Sequence, residues 1–168
     1  MIDTRYCVTF ARYNRWQNRQ LETLLGALDF KELTRNRKAF FGSILGTLNH
    51  LCWADKIWMS RFDGGEKPDY TAKEALGQFP TLAAWSAERF QLDGRISLWA
   101  AHLHNVDLAG DLTWFSGLTG RENTQPMSIL VPHFFNHQTH HRGQVHAMLT
   151  ATGSEAPVTD LFMMPEVL

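Results

Sequence analysis

Five of the chain's eight histidines lie between Val131 and Leu149, in "VPHFFNHQTHHRGQVHAML". Three of them, His133, His137 and His141, recur at every fourth residue. At about 100° per residue a step of four advances only about 40° around a helix, so adjacent members present their imidazoles to one side. Neutral imidazole is the commonest metal ligand, and two at i and i+4 can meet at one ion. His140 and Gln144 fall within the same stripe, and Ile129, Leu130 and Met148 share its side, which places it against the interior of the protein and not in water.

A metal site needs a further donor, and His50 is the best candidate. It sits in "LNHLCWAD" with Thr47, Ala54, Ile57 and Trp58 on its side, so it too is expected to face the core. Three imidazoles from two helices leave coordination positions for water or substrate, as in a catalytic site and unlike a closed structural one. Zn, Ni and Fe(II) all suit such a set. His133 can be read as a fourth ligand, as a hydrogen-bond donor to substrate or as a packing residue. The plain alternative for any one of these side chains is a core histidine bonded to a backbone carbonyl. His102 and His104 read as exposed or capping residues, and His146 lies off the stripe. Arg142 points away from it and is expected to pair with Asp55, while Gly143 is expected to admit a neighbouring helix. Cys52 is turned about 160° from His50, which argues against a mixed His/Cys site. Glu22, Glu74 and Glu88 have no histidine three residues on, so the pattern of a di-iron carboxylate centre is missing.

The elements that must position these residues are helical. "TRYCVTFARYNRWQNRQLETLLGAL" spaces Tyr6, Phe10, Tyr13, Trp16 or Gln17, Leu21, Leu24, Leu25 and Leu28 as one face of an amphipathic helix. "FFGSILGTLNHLCWADKIWMSRFDGG" predicts a second, capped by Ser43 and ended by Gly64 and Gly65. "EKPDYTAKEALGQFP" reads as a loop with a short helical turn, and Thr81 opens a third helix at "TLAAWSAERFQLDGRISLWAAHLH". "DLTWFSGLTGRENT" has β-branched and aromatic residues on either side of Gly117 and Gly120 and predicts a short β-hairpin. A fourth helix then runs from Pro126 or Met127 to Thr152, with Pro132 either kinking it or marking its first turn. The fold expected is all-α, a four-helix bundle with a β-hairpin between helices three and four, which is an architecture that builds metal sites in its core.

Composition narrows the function classes. At 168 residues the chain fits a single domain, 1–168. It is 44% apolar and 20% charged, with six Trp and eleven Phe, so a folded aromatic core is expected. A net charge of −1 without a run of Lys or Arg offers no footprint for a phosphate backbone, so nucleic acid is not an expected partner. Cys7 and Cys52 form no CxxC pair, which suits a reducing cytoplasm, and no apolar run approaches the ~20 residues of a membrane span. Trp16, Trp53 and Trp58 are candidate faces for a homodimer, and "APVTDLFMMPEVL" is apolar enough to fold back on the helices.

Taken together, "YNRWQNRQL" at Tyr13 to Leu21, "FGSILGTLNHLCWADKIW" at Phe41 to Trp58, "LTWFSGLTG" and "NHQTHHRGQVHAML" at Asn136 to Leu149 resemble the DinB/YfiT-like family of small metal-binding helical bundles. The resemblance implies one histidine from the second helix and an HxxxH pair from the fourth holding a divalent ion, usually zinc or nickel. Those positions fall on His50, His137 and His141, and leave His133 as a neighbour. It also implies a thiol-dependent transferase, in which the metal stabilises the thiolate of a low-molecular-weight thiol for attack on an electrophilic small molecule. The alternatives are a hydrolase that uses metal-activated water and a non-enzymatic metal-binding stress-response module.

Overall fold

Three of the long helices begin on side chains that cap them. Asp3 accepts a 2.8 Å hydrogen bond from Tyr6 N at the start of α1 (Thr4–Leu25). Ser43 accepts from Gly46 N at 3.0 Å to open α3 (Ile44–Phe62), and Thr81 from Ala84 N at 3.1 Å to open α5 (Leu82–His102). Each cap satisfies an amide that the first turn leaves unpaired, worth about 1 kcal/mol. In this computed structural model, which describes residues 2–117 and 119–167, two short helices fill the connectors: α2 (Phe30–Thr34) and α4 (Ala72–Ala75), the latter opened by a Thr71–Glu74 capping box.

The chain is mostly helical with one small antiparallel sheet. Strand β1 (Asp111–Ser116) pairs with β2 (Arg121–Pro126) in the register Trp114 to Asn123 and Thr113 to Thr124, as the hairpin reading expected. Leu118, which that reading included, lies outside the described residues. Gly120 closes the turn with φ at +65°, a conformation that favours glycine. The last long helix, α6 (Met127–Thr150), follows β2 directly; its first amide donates to the Gly110 carbonyl at 3.0 Å instead of to a capping side chain. Pro132 therefore lies inside α6 and not in its first turn.

α1 packs on α5 and α6, and α3 packs on α5 and α6. Leu21, Leu25, Ile44, Leu48, Trp85, Ile96, Phe134, Phe135, Val145 and Leu149 are buried between them. Ile129, expected on the buried side, is 56% exposed near the start of α6. On α1 the buried face passes through Gln17 and not Trp16, and it also carries Asn14 and Asn18.

Those polar residues belong to a buried network that joins all four long helices. Arg89 of α5 reaches Asp55 of α3 at 2.6 Å and Asp93 at 2.9 Å. Asn14 and Asn18 of α1 donate to Asp93 at 2.9 and 3.1 Å, and Arg142 of α6 donates to the Asn14 side-chain oxygen. The expected Arg142–Asp55 pair is thus replaced: Arg89 stands one turn before Asp93 and takes both carboxylates, leaving Arg142 a neutral amide oxygen. Gly143 departs from expectation too, since it is exposed and a Cβ there would meet nothing within 4 Å. The C-terminal segment does fold back, laid along α1 where Gln17 donates to the Val158 carbonyl at 2.6 Å and Val158 N donates to Gln20 at 2.9 Å. Among the described residues no helix is long and apolar enough to cross a membrane.

Candidate metal centre

The Ser43 cap fixes the start of α3, and about two turns later the helix delivers His50 into the seam with α6. From α6, His137 and His141 enter the same space on successive turns. One ring nitrogen from each of His50, His137 and His141 lies within 4.8 Å of the others. The Nε2 atoms of His137 and His141 are 3.1 Å apart. Two nitrogens bound to one ion at about 2.0–2.1 Å and separated by an angle between about 90° and 110° stand about 2.9–3.4 Å apart, so the observed spacing suits a shared ion.

Neighbouring groups prepare these nitrogens. Gln144 Oε1 lies 2.8 Å from His141 Nδ1, and the Gln144 amide nitrogen faces His140 Nε2 at 3.2 Å. An amide oxygen only accepts, so His141 carries its proton on Nδ1 and turns an Nε2 lone pair to His137. Phe41 stacks on the His50 ring at 3.8 Å, with its ring 5.2 Å from that of His141. His50 Nδ1 is buried without a hydrogen-bond partner among the described residues, an orphaned polar atom that bound metal or water would satisfy.

The electrostatics also suit a cation. Burial, followed by repulsion from His141, pushes the His50 imidazole down to about 4. Burial and then the surrounding histidines push His137 down to about 3. His141 is lowered as well, mainly by burial. All three are neutral near pH 7 and offer lone pairs instead of charge.

The remaining sequence candidates fall outside this group. The His133 ring is 5.9 Å from that of His137 and 5.2 Å from that of Trp58, one turn beyond the three. His140 is exposed. His102 is exposed, with Nδ1 2.7 Å from the Leu98 carbonyl, and borders a cavity; His104 caps a short turn with Asp107. Cys7 and Cys52 are buried free thiols, pushed up by burial to about 11 and about 12. Neither is a ready nucleophile. Trp53 and Trp58 have partners within the chain: Trp53 donates to the Tyr70 carbonyl at 3.0 Å, and Trp58 packs on Phe62, Trp114 and His133.

The DinB family model matches residues 1–167 of this chain. The chain belongs to the DinB family. One DinB relative, Protein DinB of Bacillus subtilis (strain 168), is 28% identical over 149 residues, which cover 88% of this chain and 87% of that protein. Two parts of this DinB protein's site escaped the sequence reading. Phe41 precedes the helix and enters the site only because the turn at Gly42, with φ at +76°, aims it back. Trp114 comes from the hairpin and meets Trp58 at 5.7 Å, a contact that no spacing rule predicts.

Proposed function

We propose that this DinB protein is a divalent-metal-dependent enzyme in a single four-helix-bundle domain, with His50, His137 and His141 as metal ligands. The reaction is transfer of a low-molecular-weight thiol to an electrophilic small molecule. The observation that carries this reading is the convergence of three neutral imidazoles, with the His141 tautomer set by Gln144, and no fourth protein donor in the group among the described residues. Such a set leaves room for an exogenous ligand. Zinc or nickel suits it best, and Fe(II) is compatible.

A divalent ion held there supplies the positive charge that keeps a bound thiol ionised near neutral pH. The chain's own residues do the rest. Phe41 covers one face of His50 and excludes water from it, and Gln144 keeps the His141 Nε2 lone pair directed at the site. His133, exposed beside His137, is placed to donate a hydrogen bond to a small molecule entering along the seam. A thiol cosubstrate also accounts for a site that lacks a protein nucleophile, since both cysteines are buried with raised pKa.

Metal content by mass spectrometry on wild type and on His137→Ala tests the centre. Near-stoichiometric zinc or nickel is expected in wild type and a large loss in the variant. Equal, negligible metal in both refutes the reading. Metal-dependent conjugation of a small thiol to a chromogenic electrophile then tests the reaction, and ester hydrolysis without thiol would replace transfer by hydrolysis.

A further inference from the structure

Arg61 is a half-buried guanidinium with no hydrogen bond or ion pair to any described residue. It lies 4.5 Å from the Trp58 ring and 5.3 Å from the Trp114 ring, packed against one side of an indole pair, one from α3 and one from the hairpin, whose own rings meet at 5.7 Å. Desolvation lowers its pKa, and no carboxylate offsets that cost. A partly desolvated guanidinium gains from a charged partner, so one packed on two indoles and left without an anion marks a place where an anion from outside binds.

Its position relates it to the histidines. Arg61 follows His50 by eleven residues on α3, which is about 20° around the helix and about 16 Å along it. Helical side chains lean toward the N-terminus, and this one does so, reaching back one turn to Trp58. Trp58 in turn meets the His133 ring at 5.2 Å, and His133 meets the His137 ring at 5.9 Å, so the guanidinium stands on the order of 10 Å from the histidine nitrogens along one face. α6 runs the opposite way: His141, His137 and His133 descend the seam as His50, Ala54 and Trp58 ascend it, which brings the Trp58 and His133 rings to 5.2 Å. Beyond Trp58, Arg61 borders an open cavity of about 930 Å³ walled partly by Trp99, Leu112 and Met127, so the guanidinium is reachable from solvent. Of the acidic residues on that cavity, Asp63 is held by two bonds from Arg95, and Asp107 accepts from His104 N; neither these nor Asp111 forms an ion pair with Arg61.

We propose that Arg61, packed on the Trp58–Trp114 pair, binds a carboxylate at the far end of the small molecule whose reacting end lies against His50, His137 and His141. This rests on reading the three histidines as the reactive centre, and it names the substrate class as an elongated organic acid. The carboxylate belongs either to the thiol or to the electrophile, and the charge recognised is the same.

The test uses calorimetric titration of the nickel-loaded full chain with an eight-carbon ω-mercaptoalkanoate and its primary amide, whose length matches the separation. Wild type is expected to bind the carboxylate about tenfold tighter than the amide, as a charge-assisted pair implies. That preference should fall below about twofold in Arg61→Gln and recover in part in Arg61→Lys. An unchanged preference in Arg61→Gln overturns the proposal. If wild type binds neither thiol, the metal–thiol reading fails separately, and octanoate against octanamide, followed by Trp fluorescence, still decides for Arg61. A carboxylate preference lost in Arg61→Gln then supports the subsite with the electrophile as its source, and no preference overturns it.

Discussion

Replacing Gln144 by Met removes the acceptor on His141 Nδ1 while keeping the side chain's length. In the protein the Nδ1 to Oε1 distance is 2.8 Å and Gln144 is half-buried, so the bond is well formed and partly shielded. A neutral bond of this kind contributes about 0.5–1.5 kcal/mol. Its loss also frees the imidazole to carry its proton on Nε2, the atom 3.1 Å from His137 Nε2, and so removes the lone pair in part of the population. Outer partners of metal-ligating histidines are worth about 10–100-fold in affinity, or about 1.4–2.8 kcal/mol. A bond to one of three ligands, made by a half-buried amide, belongs at the lower end, so about tenfold weaker zinc binding is expected. Gln144→Glu keeps an acceptor and makes it anionic, so it should retain or increase affinity. Competition with a chromophoric chelator measures both variants, and thermal melts confirm that folding is unchanged. A Gln144→Met dissociation constant within about twofold of wild type would refute the argument that this bond prepares the ligand.

Arg89→Met leaves Asp55 and Asp93 buried without their cation and should cost about 3–5 kcal/mol out of a total near 5–15, read as a lowered urea midpoint. For the metal-stripped protein, His50 and His137 are held at about 4 and about 3 when folded, against about 6.5 unfolded. Their depressed folded values mean that the unfolded chain takes up protons first as pH falls. Stability is therefore full above about 6.5 and is lost as pH falls toward 4 and then 3; the paired variant His50→Gln, His137→Gln should flatten melts across that window. Gly143→Ala should stabilise by about 0.5–1 kcal/mol, because the added methyl meets nothing and the helix gains a better former; a destabilised variant would mean that a neighbour covers this position.

Much of the local structure was legible because its causes are local. Ser43 and Thr81 open helices where they stand, and the glycines after Ser116 turn a hairpin, since caps and turns act over three or four residues. His137 and His141 share a face by the arithmetic of helical repeat alone. The errors all concern partners on other elements. Arg142 and Asp55 have compatible charge and plausible facing, yet Arg89 outcompetes Arg142 for that carboxylate from a helix whose placement the sequence does not specify. Gly143 and Ile129 were assigned to contacts that the packing of α6 does not make.

By itself, then, the sequence determined the four long helices, the hairpin, the family pattern and the stripe that carries His137 and His141, because periodicity and capping are properties of contiguous residues; the short helix α2 (Phe30–Thr34) lies in a segment that reads only as a polar connector. Tertiary structure decided that the His50 ring stands 4.8 Å from that of His141, that Phe41 covers it and that Arg61 packs without an ion pair on Trp58 and Trp114. These are relations between elements far apart in the chain, set by the buried Asp55–Arg89–Asp93 network and by how four apolar faces pack together, and no local spacing encodes them.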